Sequence, residues 1–301
     1  MYKEILVNIF LILITLGVIE YHSFSLTKNE NEAFKQQTDR LAANNTSAFK
    51  TRYKILEDFE PTFYRNSFYK DTDKKPIIWF GCSFAEGAGL EDIDTPCYKI
   101  SERTGRSCLN RSKGATGTQY MYWQLTQDDF KHKNPEPEYV IYTFIWNHLH
   151  RLYNYQVNPL IYMFNLRYKY ENNELKEIKP FFKPLYSSYF VKRFLNSNAR
   201  KAIREEEYNF ALFNVMMKAT ADKVKELYPN SKFIFIEFPE QSKKFLPDRE
   251  VEELQSYGIE VIRVKELLGD VDIYDEKYWL PDNIHPTSEA WDLVFDKVDI
   301  N

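Results

Sequence analysis

Long apolar runs are almost absent from this 301-residue chain, and the single one, Ile5 to Ile19, stands at the very start. At about 15 residues it is at the short edge for a bilayer span and within the range of a signal-peptide core. Its terminal position and all-round apolarity point to membrane targeting rather than to a buried core helix. Small residues at the −3 and −1 positions of a cleavage site are not evident in the stretch Val18 to Ser23, so residues 1–22 read as an anchor or signal segment, with an uncleaved anchor favoured over a removed signal. Lys3 is offset by Glu4 and says little about orientation. The usual outcome for such a segment leaves the large domain outside the cytoplasm.

Basic charge is also in short supply. Lys and Arg number 40 against 44 Asp and Glu, a net charge of −4, so a nucleic-acid partner has no electrostatic footprint here. Cysteine is limited to Cys82, Cys97 and Cys108, an odd count that leaves at least one thiol free in an exported chain. Cys97 and Cys108 could bridge a helix and its following strand, but spacing alone does not fix the geometry, and free thiols are the favoured reading. No internal repeat or low-complexity tract is visible. No His-Glu-x-x-His pattern accompanies His148, His150 and His285, so neither a metal nor another cofactor is called for. His148 and His150, at i and i+2, are read as lying on an extended segment.

What is abundant is aromatic residues, 17% of the chain, and apolar runs of strand length alternating with helical patterns. The strands expected are 77–80, 108–110, 139–146, 232–238 and 259–264, and the helices 95–104, 118–131, 205–228, 248–257 and 287–298. That alternation is the pattern of a parallel sheet with crossover helices, here a three-layer α/β/α, flavodoxin-like sheet of about five strands. Residues 23–75 are polar and read as a stalk and lead-in, and 76–301 as the domain. Residues 148–202 break the alternation and read as an insertion. It contains a β-hairpin over Asn165–Ile178 turning at Asn172 and Asn173, within aromatic-rich text such as Tyr155, Phe164 and Phe181.

Two segments far apart carry the chemistry. Ile77 to Phe80 is an apolar run that breaks at Gly81 and sets Ser83 at the end of a strand, the place where open α/β sheets bind ligands. Asp282 stands three residues before His285 near the C-terminus. A carboxylate at that spacing can accept Nδ1–H and leave Nε2 to deprotonate a serine, though such an Asp can equally sit in a turn beside a helix-capping His. Cys82 and Ser83 point to opposite sides, so only one of them can face His285 as the nucleophile, and the residues alone leave Cys82 as an alternative to its reading as a small buried hydrophobe.

Gly81–Gly87 (GCSFAEG), Asn110–Gln119 (NRSKGATGTQ), Val140–Asn147 (VIYTFIWN) and Asp282–Pro286 (DNIHP) together resemble the four sequence blocks of the SGNH hydrolase superfamily, also called GDSL-type esterases and lipases. The resemblance covers roughly residues 77–298. It implies a catalytic triad of Ser83, Asp282 and His285, with an oxyanion hole from the N–H groups of Ser83 and Gly117 and the side-chain amide of Asn147. It also implies an acyl-enzyme mechanism on an ester, such as an O-acyl group of an extracytoplasmic glycan. An O-acyltransferase using the same triad, partnered by a membrane protein that exports acyl groups, and a non-catalytic tethered binding module are the alternatives. The departures are Cys82 where the family has Asp, and Ile145 and His148 around Asn147, where it has Gly and Asp. His148 is read as lining the acyl pocket or capping a loop. Arg151 and Arg167 are read as holding a substrate anion or as exposed charge.

Overall fold

The computed structural model describes residues 67–68, 70, 72–153, 168–171, 174–177, 206–298 and 300. The expected anchor over 1–22, nearly all of the lead-in over 23–75, Arg167 and most of the insertion over 148–202 lie outside the described residues. Among the described residues no helix is long and apolar enough to cross a membrane.

Five strands form one parallel sheet: β1 (Ile77–Phe80), β2 (Cys108–Asn110), β3 (Tyr139–Phe144), β6 (Lys232–Glu237) and β7 (Glu260–Arg263), in the order β2-β1-β3-β6-β7. β1 and β3 are buried along their whole length, which is why they read as continuous apolar runs rather than alternating ones. Order reverses between β1 and β3, so the carboxyl ends of those two strands flank the switch point where such sheets hold ligands.

The two faces of the sheet carry separate cores. Ile78, Phe80, Val140, Tyr142, Phe144, Phe233 and Phe235 pack on one side, and Ile77, Trp79, Tyr139, Ile141, Ile234 and Ile236 on the other, following the two-residue period of the strands. The first side is covered by α3 (Thr118–Leu125), α5 (Asn147–Tyr153) and the long α6 (Glu206–Leu227), whose Phe213 meets Phe144 and Phe235. The second is covered by α2 (Pro96–Thr104) and α9 (Ser288–Phe295), whose Trp291 stands edge-on to Trp79 at 5.9 Å. Trp79 Nε1–H donates to Thr143 Oγ1 at 2.9 Å, so its one polar group is satisfied inside the core. Each such fully buried aromatic stabilises the fold by about 1.5–3 kcal/mol. The remaining elements are short: α1 (Ser83–Glu86), α4 (Phe130–Lys133), the hairpin strands β4 (Tyr168–Glu171) and β5 (Glu174–Glu177), α7 (Asp248–Ser256) and α8 (Val264–Leu268). β4 and β5 pair antiparallel, as expected for the hairpin, and its turn residues 172 and 173 lie outside the described residues.

Local chemistry sets the ends. Thr95 caps α2 with Pro96 at its first position, and Gly105 closes it at φ 64°. Cys97 and Cys108 form a disulfide, which ties α2 to the first residue of β2, where the sequence reading favoured free thiols. Cys82 is free and buried. Two expectations need correcting. The helix expected over 118–131 is interrupted after Leu125 and resumes at Phe130. His148 and His150 lie in α5, not on an extended segment, so positions i and i+2 point away from each other, with His148 fully buried.

Candidate active site

Ser83 is the first residue of α1, directly after the turn that leaves β1. Gly81 makes that turn possible, because a Cβ there would stand 2.6 Å from Ala85 Cβ and 3.2 Å from Thr143 O. Ser83 is half-buried, and the Cys82 side chain turns into the core behind it. The loop after β2 is fastened to this turn: Lys113 N–H donates to Gly81 O at 3.1 Å, and the Thr116 hydroxyl, whose nearer acceptor is Lys113 O at 2.7 Å, lies 3.2 Å from the same Gly81 oxygen. Gly114 lies in that loop, and a Cβ on it would come within 3.9 Å of Ser83 Cβ and 3.0 Å of Glu86 Oε2.

The carboxy-terminal loop holds Asp282 and His285 together. His285 Nδ1–H donates to Asp282 Oδ2 at 2.5 Å, while Asp282 Oδ1 accepts the N–H groups of Ile284 at 2.9 Å and His285 at 3.0 Å. Asn283, at φ 53°, takes the left-handed conformation that Asn tolerates and turns both N–H groups toward the carboxylate. Thr287, not His285, caps α9, which leaves the imidazole for Asp282. The Asp282 side chain is 2% exposed and that of His285 20%. Burial alone pushes the Asp282 carboxyl up. The hydrogen bond and charge of His285, with the two backbone N–H donors, outweigh it and hold the group below the ordinary carboxylate value.

One aromatic contact brings the two segments to the same place. Phe84, the neighbour of Ser83, sets its ring 5.8 Å from the His285 imidazole and also packs on Phe238 and Trp279. The chain's serine turn and its C-terminal His therefore share the carboxyl rim of the sheet.

Gly117 lies beside the first turn of α5, which Asn147 opens. Gly117 is the N-terminal cap of α3, and a Cβ on it would stand 3.7 Å from His148 Cβ and 3.6 Å from Arg151 Cβ. Asn147 opens α5 and is half-buried, and its N–H is held by Glu240 Oε2 at 3.3 Å. The structure thus sets Gly117 beside the first turn of α5, and Gly114 beside Ser83. Arg151 is half-buried rather than exposed, and its Nη1–H donates to Thr116 O at 2.5 Å, bracing the loop before Gly117. Gln119 Nε2–H completes the brace on Arg151 O at 3.1 Å.

Some residues near the site carried no signal in the sequence. Glu86 is buried, and Lys113 beside it has its ammonium pKa lowered by burial, with the charge of Glu86 opposing the shift. His148 does not line a pocket but is sealed beneath the Asn147 turn, where burial, and then the charge of Arg151, hold its imidazole far below the ordinary value and therefore neutral. Among the described residues no cluster of three or more His, Cys, Asp or Glu is placed to hold a metal ion.

No protein-family model matches the chain, and no curated protein does. Among solved structures it is similar to a member of the lipolytic protein G-D-S-L family from Veillonella parvula, at 11% identity and a TM-score of 0.43, covering 74% of this chain and 94% of that one. It is also similar to the lipase Lip_vut3 from a goat rumen metagenome, at 11% identity and a TM-score of 0.41, covering 74% and 95% of the two chains. A carbohydrate esterase family 2 enzyme with a carbohydrate-binding domain from Corynascus thermopiles matches at 12% identity and a TM-score of 0.41, covering 75% of this chain and 66% of that one. Likeness this distant leaves the chemistry of the site to be read from this chain's own residues.

Proposed function

We propose that the chain is a serine esterase of the SGNH type, working through an acyl-enzyme. The observation that carries the reading is the Asp282–His285 pair at 2.5 Å, set against Phe84 and hence at the Ser83 turn. In this mechanism Asp282 fixes the His285 tautomer with the proton on Nδ1, and Nε2 takes the proton of Ser83 as its oxygen attacks an ester carbonyl. The N–H groups of Ser83 and Gly117 and the amide of Asn147 receive the developing oxyanion. His285 then returns the proton to the leaving alcohol, and water releases the acyl group by the reverse use of the same base.

An extracytoplasmic setting, with an O-acyl group on a glycan as substrate, is the finer part of the proposal. The apolar run at 5–19 supports the setting, and so does the Cys97–Cys108 disulfide, a bond that persists in oxidising compartments. The deciding experiment is labelling of the full chain by a fluorophosphonate probe. Labelling that is lost in Ser83→Ala is the expected result, and folded wild type that stays unlabelled would favour a binding module instead. Supplying an aryl acetate with and without an oligosaccharide separates hydrolysis from acyl transfer, since a transferase would yield acetylated sugar.

A further inference from the structure

The residue after Gly117 and the residue after Asn147 are joined through a third side chain. Thr118 Oγ1 lies 2.9 Å from the phenol oxygen of Tyr142, and that oxygen lies 2.7 Å from His148 Nδ1. Thr118, Tyr142 and His148 are each 0% exposed, in the core between the sheet and α3, α5 and α6. They come from three separate elements: the start of α3, the middle of β3 and the first turn of α5.

The proton count makes this a directed chain. A phenol has one proton to give, so Thr118 donates to Tyr142 and Tyr142 to Nδ1, or Nδ1–H donates to Tyr142 and Tyr142 to Thr118. The first direction needs a neutral imidazole, whose Nδ1 lone pair accepts, and both need a protonated phenol. Burial supplies both, holding His148 far below its ordinary value and pushing the Tyr142 phenol far above its own. His148 Nε2 has no hydrogen-bond partner among the described residues, so the Tyr142 hydroxyl is the polar contact that fixes the ring.

Buried polar groups cost stability unless they are paired, and an apolar side chain at position 142 would fill this space without that demand. The chain is placed where two donors must keep a fixed separation. The backbone packing already presses α3 onto α5, through the bare Gly117 and the Arg151 brace, but close packing sets a minimum distance and not a direction. Two hydrogen bonds at a common oxygen set both.

We propose that Thr118, Tyr142 and His148 are positioning residues that hold the Gly117 N–H and the Asn147 amide at the spacing the oxyanion needs. This rests on the esterase reading above. It places Tyr142 as the hub, touching no substrate and acting through its two neighbours. It also gives a physical reason for a His directly after Asn147, where Nδ1 can reach back six residues to the strand.

The test uses the full chain with Tyr142→Phe, Thr118→Val and the double variant, assayed for aryl acetate hydrolysis, for inhibition by a boronic acid that forms a tetrahedral adduct, and for Tm. Tyr142→Phe is expected to lower kcat about 10- to 100-fold, as small displacements of aligned groups do, with KM within about twofold. Boronate affinity should weaken by the same factor as kcat/KM, because both report the oxyanion donors. Thr118→Val should shift both in the same direction, and the double variant should lose no more than Tyr142→Phe, since both cut one chain. A fall in Tm with kcat and boronate affinity unchanged overturns the proposal and leaves the esterase reading intact. Wild type without Ser83-dependent turnover overturns both. Should Tyr142→Phe fail to fold, Thr118→Val decides alone by the same two readouts.

Discussion

The ring of Phe84 lies 5.8 Å from the imidazole of His285, and Phe84 is the residue that follows Ser83. The serine turn and the C-terminal loop therefore meet across an apolar contact rather than an ion pair. Phe238 and Trp279 back the same ring, so its position is over-determined by packing. An apolar wall on one side of the imidazole and a carboxylate on its Nδ1 leave the ring little freedom to turn.

Phe84→Ala should act on both stability and turnover. Removing a buried Phe costs about 3–5 kcal/mol, and the cavity opens directly under His285. Urea unfolding should show that loss. Among molecules still folded, kcat should fall by about tenfold or more, as expected when a base is freed from its near-attack position. Unchanged kcat in the folded fraction would mean that Asp282 alone holds the imidazole.

Asp282→Asn separates the tautomer from the fold. The amide oxygen can still accept the N–H groups of Ile284 and His285, so the loop should keep its shape. The amide NH₂, however, would face Nδ1 and force the ring proton onto Nε2, where it cannot accept from Ser83. The expected loss in kcat is about 10⁴-fold with little change in Tm. Steady-state hydrolysis of an aryl acetate, together with a thermal melt, checks both halves.

Asn147→Ala should lower kcat by about 10²- to 10³-fold, the usual effect of losing one oxyanion donor, with KM nearly unchanged. Glu240 grips the backbone N–H of residue 147, which any side chain retains, so the turn itself should survive. A variant that raised KM and left kcat alone would move Asn147 from the oxyanion to the ground-state substrate.

The Cys97–Cys108 bond joins the amino end of the sheet, since Cys108 pairs with Ile77 at the start of β1, the opposite end from Ser83. Its loop is short, and the chain-entropy relation gives about 3 kcal/mol of stabilisation. Replacing both cysteines by Ala should lower Tm while leaving kcat at the wild-type value below the melt. Loss of kcat in parallel with Tm would show that the two ends of the sheet are mechanically coupled.

Much of this arrangement is readable from residues alone, and the exceptions have physical causes. β1 and β3 announce themselves because strands covered on both faces must be apolar throughout. The Asp282–His285 pair is visible because three residues of spacing suffice for the contact. The break after Leu125 was hidden: Met121 and Leu125 continue a helical stripe whose next positions are Asp128 and Asp129, so the chain turns to bring Phe130 onto Phe80 instead. α5 was also hidden, because its text follows β3 without a breaker; the spacing of Leu149 and Leu152, both buried, is the trace it leaves. The Tyr142–His148 contact had no sequence signal, since it requires knowing that the chain reverses after Ile145.

His148 gives a prediction in pH whose sign follows from its burial. The imidazole is completely enclosed, and desolvation, with the Arg151 charge adding to it, holds its folded pKa far below the ordinary 6.5. In the unfolded chain it titrates near that ordinary value. Above pH 6.5 both states are neutral and stability does not depend on this proton. Below it the unfolded state binds a proton that the folded state refuses, so stability declines by about 1.4 kcal/mol per pH unit until the folded pKa is reached. His148→Gln keeps a side-chain amide near Tyr142 and removes the titration. Urea unfolding of wild type and variant at intervals from pH 7.5 to 5 should therefore show slopes that differ by about that amount below 6.5 and coincide above it. Parallel slopes throughout would mean that the folded protein accepts the proton at position 148, which an imidazole sealed between Tyr142 and Phe144 should not do.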